Sequence, residues 1–73
     1  MPNSELDAHI GRFIARTRLE LGLSLTSLAL AAGVTPFELD QWEMGRERCR
    51  ADKLVRIAAF FDVPVVRFFE DAA

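Results

Sequence analysis

The spacing of apolar residues predicts a chain built from helices. Apolar side chains recur at intervals of three and four residues, the repeat of an amphipathic helix, and no segment alternates convincingly as a strand does. Ser24 and the Thr35-Pro36 pair are typical of helix starts, and a glycine follows each of the first three predicted helices. These signals predict helices over residues 5–21, 25–32, 36–44 and 51–61, with a last short helix opened by Pro64.

Two capping boxes are predicted from the same pattern. Glu38 lies three residues after Thr35, and Asp7 lies three residues after Ser4 with aspartate in place of the usual glutamate. Within the third helix, the spacing of Leu39 and Trp42 turns both side chains toward the core.

Composition fits one domain that covers residues 1–73. Hydrophobic residues make up 51% and charged residues 27% of the chain, so it is globular rather than disordered. The longest apolar stretch, 28–34, is too short to span a bilayer, and acidic Glu5 and Asp7 precede any basic residue, unlike in a signal peptide. We therefore expect a cytoplasmic protein. The net charge of −2 argues against polyanion binding through bulk charge, but it leaves room for a local basic patch.

Residues that could carry catalysis or bind metal are scarce. A single cysteine and a single histidine allow no intramolecular disulfide and no zinc site, so we expect no metal, no cofactor and no enzyme activity. His9 is interpreted as a surface residue. Arg48 and Arg50 flank Cys49, which predicts a lowered pKa for its thiol; a redox switch and an incidental loop cysteine both fit that position.

The second and third predicted helices form a tight pair joined by Gly33-Val34. In a helix-turn-helix, this geometry lets the second helix project into a major groove while the first braces across the backbone. The chain resembles the lambda-repressor/Cro-like (xenobiotic-response-element) helix-turn-helix family over residues 10–69, with the helix-turn-helix unit at 24–43. The matching residues are Ile10-Gly11, Gly22-Leu23-Ser24, Leu28-Ala29, Gly33-Val34-Thr35, Leu39, Trp42-Glu43, Gly45, Leu54, Ile57-Ala58, Val63 and Phe69.

The resemblance implies an all-α, compact five-helix DNA-binding domain. It further implies a transcription regulator that binds operator DNA as a homodimer, with the helix at 36–44 in the major groove. Family members often pair an arginine of the first helix with a glutamate that closes the third, and Arg18 and Glu43 match that structural ion pair.

The family's base-reading positions match Leu25, Pro36, Phe37 and Gln41. Only Gln41 has an amide that bonds bidentately to adenine, and Phe37 suits the methyl group of thymine. Burial of Phe37 against the second helix or a partner protein fits the sequence equally well. Pro36 is better explained as shaping the helix start.

Phosphate contacts are expected from the helix starts and from the basic segment that follows the third helix. The candidates are Ser24, Thr26, Ser27, Thr35, Arg46, Arg48, Arg50 and Lys53. A solvated charged loop is the alternative for the basic segment, because Glu47 and Asp52 interleave with it.

The chain departs from the family in ways that bear on its partner. The third helix carries Glu38, Asp40 and Glu43 but no basic residue, and Arg50 stands before the fourth helix, where it cannot cap by accepting a hydrogen bond. Apolar residues at outward positions suggest a partner or dimer surface, with one of the two terminal phenylalanines sealing the core. These residues are Leu30, Ala31, Val65, Phe68 and Phe69. The alternative function is therefore a module of the same fold that binds another regulator or RNA polymerase instead of DNA.

Overall fold

The structure, a computed structural model, describes residues 5–70, and all regular secondary structure in that range is helical. The all-α prediction is confirmed, but four α-helices and a 3-10 helix stand where five helices were expected. Two helices have the predicted bounds, and two end one residue earlier than predicted. The elements are α1 Glu5–Glu20, α2 Leu25–Ala32, α3 Pro36–Glu43, α4 Ala51–Phe61 and the 3-10 helix Val65–Phe69.

A single apolar cluster lies between the helices. Leu39 and Trp42 are buried as predicted, whereas Leu6 and Leu21, at the two ends of the apolar stripe of the first helix, are 42% and 53% exposed. Buried side chains come from every helix, so each amphipathic face is covered by another element. The cluster consists of Ile10, Ile14, Leu28, Ala29, Ala32, Leu39, Trp42, Leu54, Ile57, Ala58, Phe61 and Phe68.

The 3-10 helix closes this core with one aromatic ring. Phe68 is fully buried, and its ring centroid lies 4.7 Å from that of Phe13 and 6.3 Å from that of Phe61. The sequence analysis assigned Phe68 to a partner surface. That prediction is wrong, because the ring is buried in the chain's own core. Val65 also packs partly against the core, and Phe69 remains 40% exposed.

A glycine lets α1 and α3 approach each other closely. A Cβ atom added to Gly11 would lie 3.0 Å from the Glu43 carbonyl oxygen and still closer to the Trp42 carbonyl oxygen. The C-terminal end of α3 therefore rests directly on the backbone of α1, and this contact fixes the direction in which α3 points.

The two predicted cap positions outside the helix-turn-helix have different outcomes. Ser4, the cap residue proposed for α1, lies outside the described residues, and Asp7 is buried with its Oδ1 3.3 Å from the Arg48 Nε. Arg50 precedes α4 and makes no side-chain cap, as its chemistry requires.

No helix within residues 5–70 is long and apolar enough to cross a membrane.

Candidate nucleic-acid interface

The turn between α2 and α3 is built on a left-handed glycine. Gly33 has φ of 74°, and its amide and that of Val34 donate to the carbonyls of Leu30 and Ala29 at 3.2 and 3.0 Å. A residue with a Cβ would be strained in this conformation, so the glycine permits the abrupt change of direction between the two helices.

Side-chain caps define the starts of both helices. The Ser24 hydroxyl accepts from the Ser27 amide at 3.0 Å. Thr35 and Glu38 form the predicted capping box, in which Thr35 Oγ1 accepts from the Glu38 amide and the Glu38 carboxylate accepts from the Thr35 amide at 3.0 Å. That second hydrogen bond lowers the pKa of Glu38, and the positive charges of Arg50 and Lys53 lower it further.

The capping box commits one of the acidic groups of α3 to its own backbone. Negative charge at a helix N-terminus is stabilising, so Glu38 serves the helix rather than an external ligand.

The outward face of α3 consists largely of uncharged side chains. Phe37 is 71% exposed and Met44, at the end of the helix, is 52% exposed, while Gln41 between them is half-buried. Pro36 is exposed at the first helical position. Phe37 is not buried against α2, so that part of the alternative is wrong, whereas its burial against a partner protein stays a prediction. Leu25, the remaining predicted base reader, packs partly against the core.

An ion pair between α1 and α3 holds this face in place. Arg18 Nε and Nη2 donate to the two carboxylate oxygens of Glu43 at 2.8 and 3.0 Å, and Nη1 donates to the Leu23 carbonyl at 3.0 Å. The hydrogen bond to Glu43 raises the pKa of Arg18. Both side chains are largely buried, at 14% and 8% exposed, so the pair is a fixed structural link and not a loose surface contact.

The predicted phosphate-contacting residues after α3 divide into two groups. Arg46 is exposed, and its amide donates to the Gln41 carbonyl at 2.9 Å, which places it at the C-terminal end of α3. Arg50 and Lys53 act through their charges on Glu38 in the first turn of α3. Arg48 contacts the buried Asp7 of α1 through its guanidinium, while 66% of its side chain stays exposed.

Arg56 is a basic residue of this region that the sequence analysis missed. Its Nη2 donates to the Ala31 carbonyl at 3.3 Å, so its charge lies beside the turn between α2 and α3. Arg50, which directly precedes α4, and Lys53 and Arg56 within it recur every three residues, and this spacing alone predicts that they share one face. We call these three residues the basic ridge.

Two further side chains correct sequence-based interpretations. Burial raises the pKa of Cys49 to about 12, with a smaller contribution from Asp52, and the opposing effect of Arg50 is weaker. The predicted lowering of the Cys49 pKa is therefore wrong, because the thiol packs toward the core and away from its neighbours in sequence.

His9 is only half-exposed, and its buried Nε2 has no hydrogen-bond partner among the described residues.

The raised pKa of Cys49 predicts a stability that falls at alkaline pH. Between pH 9.0 and about 12 the unfolded chain loses the thiol proton while the folded chain keeps it, so unfolding is favoured as pH rises. Urea unfolding at pH 7.5 and pH 10 should show a larger loss of stability for the wild type than for Cys49→Ala. Equal losses would contradict burial of the thiol.

Comparison with known proteins agrees with this geometry. A profile of the helix-turn-helix family matches residues 14–68, which include both helices of the unit and the basic ridge. The chain belongs to the lambda-repressor/Cro-like helix-turn-helix family. The resemblance inferred from the sequence is thereby confirmed, and the family is one of transcriptional regulators rather than a class of enzymes.

The relatives are regulators longer than this chain. The chain is 37% identical over 67 residues to an uncharacterized HTH-type transcriptional regulator of Sinorhizobium medicae (strain WSM419), covering 92% of this chain and 48% of the relative. It is 35% identical over 77 residues to an uncharacterized transcriptional regulator in the ATPase CF(0) region of Rhodospirillum rubrum, covering 97% and 71%. The chain thus spans about half the length of the rhizobial relative.

A solved structure shares the arrangement of helices. The crystal structure of the clp gene regulator ClgR from Corynebacterium glutamicum superposes with a TM-score of 0.87 at 25% identity, covering 97% of this chain and 76% of that one.

Proposed function

We propose that this helix-turn-helix protein is a transcription regulator that binds operator DNA by placing α3 in the major groove. The observation that carries the proposal is the joint position of α3 and the basic ridge. The exposed face of α3 lies between Arg46 at its C-terminal end and Arg56 beside the turn that precedes its N-terminal end, and the two phosphate backbones of a major groove flank a bound helix in this way.

Phosphate contacts are assigned to the basic ridge, to Arg46 and to the two helix starts. The Ser24 and Thr35 hydroxyls accept within their caps. Each also donates its proton there, to Ser27 Oγ at 2.9 Å and to a Glu38 carboxylate oxygen at 3.2 Å, so a phosphate oxygen would take the place of that acceptor. Thr26 and Ser27 are exposed in the first turn of α2, beside the positive end of that helix. Arg48 is the weakest of the predicted contacts, because it faces Asp7.

Two of the three acidic residues of α3 are engaged within the fold and do not block this approach. Glu43 is paired with Arg18 at the core, and Glu38 is held within the capping box. Asp40 is half-buried, and its spacing from Phe37 and Met44 places it beside the outer face of α3.

The basic ridge gives a prediction about salt dependence. Lys53→Ala and Arg56→Ala should each weaken binding to all DNA sequences and lower the slope of log affinity against log salt concentration by about 1. Arg12→Ala removes an exposed charge from α1 and should leave the slope unchanged. Fluorescence anisotropy with a genomic-fragment pool between 50 and 200 mM salt measures the slopes. A wild-type protein that fails to bind any fragment at low salt would refute the proposed function.

A homodimer in the cytoplasm is the assembly that we propose for this activity. Two copies related by a two-fold axis read two half-sites of a pseudo-palindromic operator. Sedimentation equilibrium with and without operator DNA tests this assembly.

One observation favours the second function, in which the same fold binds another regulator or RNA polymerase. Leu30 is 81% exposed on α2, although nothing in the fold requires an apolar side chain there, and Ala31 beside it is half-buried. Leu30→Glu separates the two functions: DNA affinity stays unchanged if Leu30 serves only a protein partner, and copurification of that partner is lost.

A further inference from the structure

Several apolar side chains remain exposed around α4 and the 3-10 helix. Val55 on α4 and Val66 on the 3-10 helix are 54% and 60% exposed, and Leu6 and Phe69 are exposed as well. Single apolar side chains at a surface need no explanation, but a group of them on one surface is typical of an interaction site. The question is therefore whether these residues lie together.

A groove of about 390 Å³ joins three of the elements on this side of the molecule. Leu6, Ala51 and Phe69 all line it, so the end of the 3-10 helix lies beside the start of α4. Because the 3-10 helix follows α4 after the short turn at 62–64, it runs back along α4 in the opposite direction.

The exposed apolar residues form two adjacent rows along these elements. Val66 precedes Phe69 by three residues, the repeat of a 3-10 helix, so both lie on the same side of it. Val55 and Ala59 follow Ala51 by four and eight residues along α4. The rows form one surface that we call the apolar face. It consists of Leu6, Ala51, Val55, Ala59, Val66 and Phe69.

Four charged residues of α4 and the 3-10 helix lie outside the apolar face. Arg56 donates to a carbonyl oxygen of α2 at 3.3 Å, so it and Lys53 lie on the flank of α4 that faces α2. Arg67 and Glu70 pair with each other at 2.9 Å and line a separate cavity with His9. The apolar face therefore stays open when Lys53 and Arg56 meet DNA.

The two ends of the apolar face have opposite shapes. At the start of α4 the face is concave, because Leu6, Ala51 and Phe69 surround the groove. Toward the end of α4, Val66 projects with 60% of its side chain exposed. A second copy of the chain that is turned end to end would bring the projection of each copy to the groove of the other.

The charges at the two ends are also complementary. Arg48 and Arg50 are 66% and 62% exposed beside the groove, although Arg48 contacts the buried Asp7 and Asp52 lies 3.9 Å from Arg50. A guanidinium has five donor hydrogens, so each arginine can bind a further carboxylate. Asp62 is exposed at the other end of α4, where the helix dipole is negative.

We infer that the apolar face is the contact through which two copies of this chain form a homodimer. A two-fold axis beside Val55 that reverses the direction of α4 places Val66 of each copy at the groove of the other and Asp62 near Arg48. This rotation keeps both copies of α3 on the same side of the dimer, whereas an axis parallel to α4 would place them on opposite sides. The choice of axis rests on the proposed function, since one DNA duplex must meet both copies of α3.

Val55→Glu tests the contact at the axis. Each glutamate would face its counterpart in the other copy, so two like charges would be buried without partners. Sedimentation equilibrium of the full chain should show a dimer dissociation constant about 100-fold higher or more. Leu19→Glu places the same charge on α1, where Leu19 is 65% exposed outside the apolar face, and should leave the constant unchanged. Circular dichroism should show the wild-type helix content for both variants.

A disulfide bond gives a second measurement that leaves the apolar face intact. In a Cys49→Ala background, Val55→Cys provides one thiol in each copy, and a two-fold axis beside this position brings the two thiols within bonding distance. Oxidised glutathione should then join two chains covalently, as seen on a non-reducing gel. Leu19→Cys in the same background should remain a single chain.

The outcomes separate the apolar face from the proposed function. A wild-type dimer that Val55→Glu dissociates and Val55→Cys crosslinks supports the inference. A wild-type chain that is monomeric at every concentration, a dimer that survives Val55→Glu, or a failed crosslink overturns it, and DNA binding stands if the wild type still binds genomic fragments. A dimer with these properties that binds no fragment at low salt overturns the proposed function instead.

Discussion

Gly11→Ala is expected to destabilise the fold by about 3 kcal/mol or more, the upper end of the range for overpacked cores. The added Cβ meets the carbonyl oxygens of Trp42 and Glu43, which are backbone atoms of α3 and cannot rotate away as a side chain can. A domain of 73 residues has a total stability of roughly 4–11 kcal/mol, so this single methyl group removes a large part of it.

A second glycine provides the control for that result. Gly22 has φ of 71°, but a Cβ added there would meet nothing within 4 Å. Gly22→Ala therefore carries conformational strain without a clash and should cost about 1 kcal/mol. Urea unfolding monitored by circular dichroism measures both variants. Equal losses would show that the contact between α1 and α3 is looser than described.

Arg18→Met is expected to cost about 3 kcal/mol or more, because it leaves the Glu43 carboxylate buried without its guanidinium partner. Glu43 is only 8% exposed, and it accepts two hydrogen bonds from Arg18. The bond from Arg18 to the Leu23 carbonyl is lost as well.

The double replacement Arg18→Met with Glu43→Leu should recover much of this loss. Replacing both members of a buried ion pair by apolar residues of similar size is often neutral, whereas removing one is not. A double-mutant cycle by urea unfolding measures the coupling. If the two single losses simply add, Arg18 and Glu43 do not act as a pair.

Much of this fold was predictable because its signals are local. The bounds of α2 and α4 follow from residues directly beside them, such as Ser24 before α2 and Gly33 after it. The Thr35–Glu38 capping box was visible for the same reason. Only the last element differs in kind, since Val65–Phe69 forms a 3-10 helix, a geometry common in short segments.

The remaining features depend on residues far apart in the chain. Arg48 contacts Asp7 across 41 positions, so a residue assigned to DNA by its place in the sequence has a partner on α1 that the sequence did not reveal. A lowered pKa was predicted for the Cys49 thiol from its neighbours Arg48 and Arg50, but burial raises that pKa instead. In the folded chain, the residues that surround a side chain are not the ones next to it in the sequence.

The candidate site was predictable in its framework more than in its surface. Phe37 and Gln41 were named from the sequence as base readers, and that role remains a prediction. Met44 and Arg56 were not named, although their spacing from Gln41 and Lys53 places each of them on the same helix face as its neighbour. Periodicity along a helix would have found both residues if it had been applied to polar and exposed positions.

The position of Phe68 also determines when the protein can fold during its synthesis. Its ring fills the centre of the core against Phe13, which leaves the ribosome 55 residues earlier. The helices at the start of the chain can form as they emerge, but the aromatic contact that joins them to the end cannot. We therefore expect a nascent chain to stay sensitive to protease until residue 68 has left the exit tunnel, and to become resistant in one step afterwards.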